Sequence, residues 1–505
     1  MPMLQFAVYD DNGPAEHWPL TSAYLIGPEG LTTPGKISLR SGHIVCKTRS
    51  THAVALCVQH DAGPMGRLML QTCLLMNRHR PYQLSIELAR HRIKMFIAKS
   101  EEWQMFGLDA DHPAITLFEK ARGLFSSALN MENPIEAGRT AQRSLRAAIK
   151  ATEQLALTHS DILLHRRFGS RPASSTSLGV RVGLERDSQL LREIVEGDFD
   201  LLVVPLNWSE LEVEEGRYNW DPIDRWLDWA HTQGKPCVLG PLLDFSKRAI
   251  PKWMYVWQHD YNTCRDLIYE HVEKVVGRYR SAVSTWIVAS GLNINDNFEF
   301  TPDQMLDLTR MANLIARQAR KGARTMIELT QPFGEHCASN RNALPPLTFI
   351  DRATQEGIRT DCVGVQLLFG QSRAGRASRD LMQISDLLDR FGVLEMPVVV
   401  SAMGVPSEKI DEEGGWWHEP WSPRVQSRWM SNVFAIAMSK PFVELVIWTD
   451  LYDHPRAELP KGGLVSDTGR AKPVLQQLVT TRKKLRKPLG PYNPKKLADR
   501  PARDV

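Results

Sequence analysis

The sequence predicts an α/β protein: a (β/α)8 TIM barrel preceded by a β-rich, sandwich-like N-terminal module and a helical connector. Three observations carry this. Apolar strand-like runs alternate with helical segments eight times from Ser177 onward, over about 300 residues, which is the size and rhythm of such a barrel. Short apolar runs broken by turn residues fill the first 80 residues, and apolar positions at helical spacing fill Pro81 to Arg166. A doubly wound open sheet would show the same alternation, but no glycine-rich phosphate loop follows the first strand. The expected organisation is therefore a β module at 1–80, a connector at 81–170, the barrel at 171–480 and a basic, flexible tail at 481–505.

In the module, the runs Leu4 to Tyr9, Ala23 to Ile26, Ala53 to Val58 and Arg67 to Thr72 are separated by turn signals at Asp11-Asn12-Gly13, Gly27-Pro28 and Gly63-Pro64. A binding role and a packing or dimerisation role both fit it. In the connector, Leu84, Leu88, Ile93, Phe96 and Ile97 keep helical spacing, and a longer helix runs from Ile135 into Leu164. This reads as a bridge, with a partner-binding coiled coil as the alternative. The stretch RPASSTS, Arg171 to Ser177, breaks the pattern before the barrel.

The barrel strands are expected at Leu178 to Val182, Leu201 to Leu206, Cys237 to Leu243, Thr285 to Ala289, Arg324 to Leu329, Cys362 to Leu368, Pro397 to Ala402 and Leu445 to Trp448. Between them, Ile223, Trp226, Leu227, Trp229 and Ala230 recur at helical spacing, and further helices are expected at Tyr261 to Tyr279, Pro302 to Gln318, Leu381 to Phe391 and Ser427 to Met438. The tail carries Arg482, Lys483, Lys484, Arg486, Lys487, Lys495 and Lys496, a run expected to be solvated.

Bulk properties exclude some partners. With 62 basic and 58 acidic residues the net charge is only +4, which gives no nucleic-acid signal. No apolar run approaches the ~20 residues that span a membrane, so no membrane partner is expected. The seven cysteines are scattered, with no CxxC and no Cys/His cluster, so buried free thiols and no metal or other cofactor are expected. The opening MPMLQFAVYDDNG has no basic region followed by a long apolar core, which points to a cytoplasmic location.

Several stretches carry a family resemblance. LEVEEGRYNW (Leu211 to Trp220), then DRWLDWAHTQGKPCVLG (Asp224 to Gly240) and PKW (Pro251 to Trp253), resemble the second-strand loop, following helix and third strand of glycoside hydrolase family 10, the endo-1,4-beta-xylanases. HVEKVVGRYRSAVSTWIV (His271 to Val288) resembles the helix and fourth strand. TDCVGVQ (Thr360 to Gln366) resembles the sixth strand. VIWTDLYD (Val446 to Asp453) with GGLVSDTGRAKPVLQQL (Gly462 to Leu478) resembles the eighth strand and last helix. The likeness covers roughly Leu178 to Val479 and implies carbohydrate-active ancestry, with oligo- or polysaccharides of the xylan type as partners.

The resemblance also implies two glutamates, a proton donor ending strand four and a nucleophile ending strand seven, about 5–5.5 Å apart for a retaining mechanism. Here the fourth-strand motif Trp-Asp-Val-Val-Asn-Glu reads Trp286 to Gly291, placing the donor on Gly291 and its helper asparagine on Ser290. The seventh-strand motif Thr-Glu-Leu-Asp reads Ser401 to Gly404, placing the nucleophile on Ala402. The glutamate-asparagine pair of strand two becomes Val203-Val204 and its lysine Asn207; the histidines of strands three and six become Pro241 and Leu368, while Gln366 is kept. A more apolar cleft floor follows. Glu395 lies at the wrong end of the barrel, and Asp296 and Glu299 lie far out on the fourth loop.

The remaining candidates lie on the expected C-terminal face. Glu328 ends strand five. The seventh loop, EEGGWWHEPW, carries Glu412, Glu413, Trp416, Trp417, His418, Glu419 and Trp421; tryptophan faces pack well on sugar rings, and the alternative is that these side chains pin the long loop to the barrel. Asn207, Trp208, Gln366, Asp450 and Tyr452 complete the expected substrate-binding set; each also has a structural reading, as packing, ion pair or scaffold contact. His418 with Glu419 is a weak acid/base or metal candidate. Three functions remain open: a catalytically degenerate saccharide binder or scaffold, a hydrolase using relocated carboxylates with Glu328 and Glu419 as the pair, and a structural or interaction protein. The sugar and the oligomeric state are not fixed by these residues.

Overall fold

The computed structural model describes residues 3–10, 13–173 and 177–493. The eight expected strands close into a parallel barrel: Leu178–Arg181, Leu201–Pro205, Cys237–Gly240, Thr285–Ser290, Arg324–Leu329, Cys362–Leu368, Val398–Gly404 and Val443–Trp448, the last pairing with the first. A helix follows each strand, from Gln189–Asp198 after the first to Pro473–Leu485 after the eighth. Every strand is nearly all buried because helices cover the outside and side chains fill the inside. Leu201, Val203, Val238, Ile287, Met326, Cys362, Val399, Leu445 and Ile447 form a separate apolar cluster inside the barrel.

Alternation along each strand sets what stands above that plug. Two residues beyond Val203, Met326 and neighbouring plug positions come Pro205 and Glu328, and these reach the C-terminal mouth together with Arg181, Ser290 and Gln366. A bulge in strand four shifts register between Ile287 and Ala289, so Ser290 pairs with Glu328.

The N-terminal region holds two sheets. One orders Gly35–Arg40, His43–Thr48, Leu4–Ala7 and Tyr82–Gln83. The other orders Gly66–Gln71, Ala55–Asp61, Tyr24–Ile26 and Thr32–Thr33, and gains a fifth strand, Trp416–Trp417, from the seventh barrel loop. Trp416 pairs antiparallel with Arg67 and Trp417 with Gly66. Gly66 has φ +95 and lies so close to the Trp416 carbonyl that a Cβ would collide with it.

Three helices follow: Leu84–Glu102, Pro113–Leu129 and the 35-residue Pro134–Phe168. The third is capped by Asn133, whose side chain accepts from the Ile135 and Glu136 amides. Leu84, Leu88, Ile93 and Phe96 are buried, but Ile97 is 52% exposed and lies off the packed face. Arg92 of the first helix forms a buried ion pair with Asp380, the N-cap of the sixth barrel helix.

Residues 481–485 belong to the last barrel helix rather than to a flexible tail, and Arg482 and Arg486 both reach the Asp200 carboxylate. Ser174, Ser175 and Thr176 of the expected break, Asp11 and Asn12 of the first turn signal, and Lys495 and Lys496 lie outside the described residues. All seven cysteines are free, and burial pushes the thiols of Cys46, Cys57, Cys237 and Cys362 up to about 12.

Candidate functional site: the barrel mouth

A cavity of about 650 Å³ opens at the C-terminal ends of the strands, the end where barrels of this type place their chemistry. Its floor is charged, not apolar. Buried Glu328 accepts from the Ser290 hydroxyl at 2.5 Å and from Gln366 Nε2 at 3.0 Å, both through Oε2. Its Oε1 faces Arg181 Nη2 at 3.6 Å, too long for a hydrogen bond. Arg376, from the sixth loop, donates to Gln366 Oε1 at 3.3 Å and to Glu458 at 2.6 Å, and Arg373 reaches the same Glu458 oxygen at 3.2 Å. Burial would raise the Glu458 carboxyl, but Arg376, Arg373, Arg181 and Arg248 outweigh it and hold the group below the usual carboxylate range.

The eighth loop supplies a second cluster. His454 Nδ1 lies 3.3 Å from Glu185, and its Nε2 lies 3.8 Å from Asp450. Burial alone would lower this imidazole, yet Asp450 and Glu185 raise it to about 9, so it is a cation at neutral pH. Asp244, beyond strand three, accepts from the Ser246 amide at 2.8 Å. Burial, with Glu458 and Glu328 adding repulsion, lifts its carboxyl to about 6.

The mouth brings together Asn207, Glu328, Gln366 and Asp450 of the expected residues. Asn207 caps a short helix, accepting from the Ser209 amide and hydroxyl at 3.1 and 2.8 Å. Tyr452 is buried beside this group, its hydroxyl 3.4 Å from Glu185. Trp208 does not face the mouth. It is buried, stacks on His271 at 4.1 Å and donates to Glu212 at 2.7 Å.

The tryptophan loop lies elsewhere, because its backbone completes the N-terminal sheet. Trp417 is fully buried, and its Nε1 donates to Glu153 of the long helix at 2.7 Å. His418 Nε2 meets the other oxygen of Glu153 at 2.7 Å, and the Leu381 amide donates to the first at 3.2 Å. These partners outweigh burial and hold the Glu153 carboxyl below its usual range. Trp421 is buried and donates to the Gly415 carbonyl, while Trp416 is half-buried with Lys409 over its ring. Glu419 is exposed and paired with Arg424 at 2.9 Å, which removes it from any pairing with Glu328. Glu412 faces Lys409, and the Glu413 carbonyl accepts from Gln59. Asp296 reaches the cavity rim; Glu299 does not line it.

Gly291 ends strand four in the left-handed region, φ +60, and a Cβ there would meet Thr330 Oγ1 at 2.8 Å. Ala402 is fully buried against Leu368 and Leu459, the latter from the eighth loop. Sequence reasoning missed Arg181, Arg373, Arg376, Glu458, Asp244 and His454. For Arg181 the signal was present: one cation at the end of an otherwise apolar strand.

A closed (β/α)8 barrel with a cavity of ionisable side chains at its C-terminal mouth defines the class by its architecture. Residues 176–456 match the model of glycosyl hydrolase family 10, and the chain belongs to that family. Endo-1,4-beta-xylanase A of Xylanibacter ruminicola is 27% identical over 161 residues, which is 30% of this chain and 42% of that protein. Endo-1,4-beta-xylanase 3 of Hypocrea jecorina is 31% identical over 85 residues, 17% of this chain and 24% of that protein. The chain thus aligns with less than half the length of these curated relatives. Among solved structures, xylanase 10B from Thermotoga petrophila RKU-1 in complex with xylobiose aligns at 14% identity and a TM-score of 0.47, covering 64% of this chain and 96% of that one.

Proposed function

We propose that the barrel mouth binds a saccharide and does not run the retaining hydrolysis of its family. One observation supports this reading: the cavity is open and polar, yet the positions that the family resemblance aligns with the proton donor and nucleophile are Gly291 and Ala402. The first has a backbone and surroundings that disfavour any side chain, and the second is covered by Leu459. Retaining hydrolysis needs two carboxyl groups on one cleft, one to protonate the leaving oxygen and one to attack the anomeric carbon. Polar atoms at the mouth support the binding half. Glu328 Oε1, Asp450 Oδ2 and Gln331 Oε1 are buried without a hydrogen-bond partner, and sugar hydroxyls supply the missing donors. A xylan-type ligand is the reading favoured by the xylanase relatives.

One observation favours a second reading, a hydrolase with relocated carboxylates. Asp244, raised to about 6, has the acidity of a proton donor at neutral pH. Glu328 would be its partner in place of Glu419. The test is hydrolysis of xylan and aryl β-xylosides by the wild type, Asp244→Asn and Glu328→Gln, with calorimetric binding of xylo-oligosaccharides alongside. Binding without turnover is the expected result. Turnover abolished by either substitution would overturn the non-hydrolytic reading and install the relocated pair.

A further inference from the structure

The floor of the mouth carries more guanidinium than a neutral sugar needs. Arg181, Arg248, Arg373 and Arg376 all act on the single carboxylate of Glu458. Around the mouth as a whole carboxylates are at least as many as cations, so the unmade hydrogen bonds of individual arginines, not a net charge, mark an anion's seat. Two of the arginines have unspent donors. Arg376 is only 4% exposed, held along one edge by Gln366 and Glu458, and its Nη1 has no partner. Arg181, with its side chain 13% exposed, faces Glu328 across 3.6 Å and leaves Nε and Nη2 without a hydrogen bond. A buried guanidinium with unmade hydrogen bonds is costly, and the ligand that best repays it is a planar anion with two acceptor oxygens.

We propose that the mouth takes an acidic saccharide, with a sugar carboxylate seated between Arg181 and Arg376. This rests on the saccharide-binding reading above and deepens it by naming the charge of the ligand. The acceptors on the same floor, Glu328 Oε1 and Asp450 Oδ2, repel a bare dianion but take hydroxyl protons. Carboxylate and hydroxyl groups on one ring or branch therefore satisfy both sets of orphaned atoms, which neither a neutral sugar nor a simple anion does.

The experiment is calorimetric titration of the full chain with xylotetraose, with xylotetraose bearing one glucuronosyl branch, with the methyl ester of that branch, and with inorganic phosphate. The acidic ligand is expected to bind about tenfold more tightly than the neutral one or the ester, an advantage worth about 1.4 kcal/mol that shrinks with added salt. Arg181→Gln and Arg376→Gln, checked for an unchanged melting profile, are each expected to erase most of that advantage, read within each variant as the ratio of acidic to neutral affinity. If Arg376→Gln does not fold, the wild-type comparison and Arg181→Gln decide. Equal affinity for the three saccharides overturns the carboxylate subsite and leaves saccharide binding standing. Phosphate binding more tightly than the acidic saccharide overturns it in favour of a phosphate site. Binding of no saccharide sinks the saccharide reading itself.

Discussion

The seventh loop and the barrel mouth divide the chemistry of this molecule in an unexpected way. The loop has the tryptophans and the His-Glu dipeptide that attract attention as a sugar site, yet Trp417, His418 and Trp421 are buried, tied to Glu153 and to the loop's own backbone. The mouth lacks aromatic lining among the described residues and is built from arginines, carboxylates and one histidine. Aromatic area here joins one part of the chain to another, while buried polar atoms without hydrogen bonds gather at the mouth. A Trp-rich segment of a barrel protein is thus a statement about burial before it is one about recognition.

The strongest way to break that contrast is Trp417→Ala. It is expected to cost about 3–5 kcal/mol in urea unfolding while leaving saccharide affinity at the mouth unchanged; lost affinity with retained stability would return the loop to the site. Next comes Glu153→Gln, which leaves buried partners unsatisfied and is expected to cost about 1–3 kcal/mol at pH 7. Because the folded-state carboxyl is held below its unfolded value near 4.5, its contribution is present above that pH and lost as pH falls through the lower folded value. The variant should therefore unfold in acid with a shallower loss of stability below about pH 4.5.

On the mouth side, Asp244 has the opposite sign. Its folded carboxyl is raised from 3.8 to about 6, so its ionisation opposes folding as pH rises through that window, and Asp244→Asn should flatten stability there. Protonating it also removes a negative charge from the floor. Affinity for the acidic saccharide is expected to rise on the order of fivefold between pH 7 and pH 5 in the wild type, about 1 kcal/mol of charge interaction, and to stay flat in the variant by calorimetry. The smallest effect is expected from Arg424→Ala, which leaves exposed Glu419 facing only Arg428 at 3.7 Å, at a cost below about 1 kcal/mol. A change in binding or turnover there would draw Glu419 back into the chemistry.

Much of the barrel was legible because each strand, buried on both faces, is a continuous apolar run, and the helices between them repeat their spacing. Glu328 was legible as a polar residue at the end of such a run, and Gln366 through the resemblance of the sixth-strand motif. The destination of the tryptophan loop was not, since pairing Trp416 with Arg67 depends on a contact hundreds of residues away that no local pattern encodes. The charged floor was obscured for a related reason. Arg373, Arg376 and Glu458 stand on loops, where charges look solvated until the fold turns them inward.

The strand that the seventh loop lends to the N-terminal sheet has a consequence for synthesis on the ribosome. The Gly66–Gln71 strand is complete early, but the chain that covers it arrives about 350 residues later, as the Gln59 to Glu413 bond across 354 positions illustrates. At about 5–20 residues per second that edge waits roughly 20–70 s. Until then its open amides and carbonyls are available to other nascent chains, so a chaperone that shields this sheet would raise the yield of this protein more than one acting on the finished barrel.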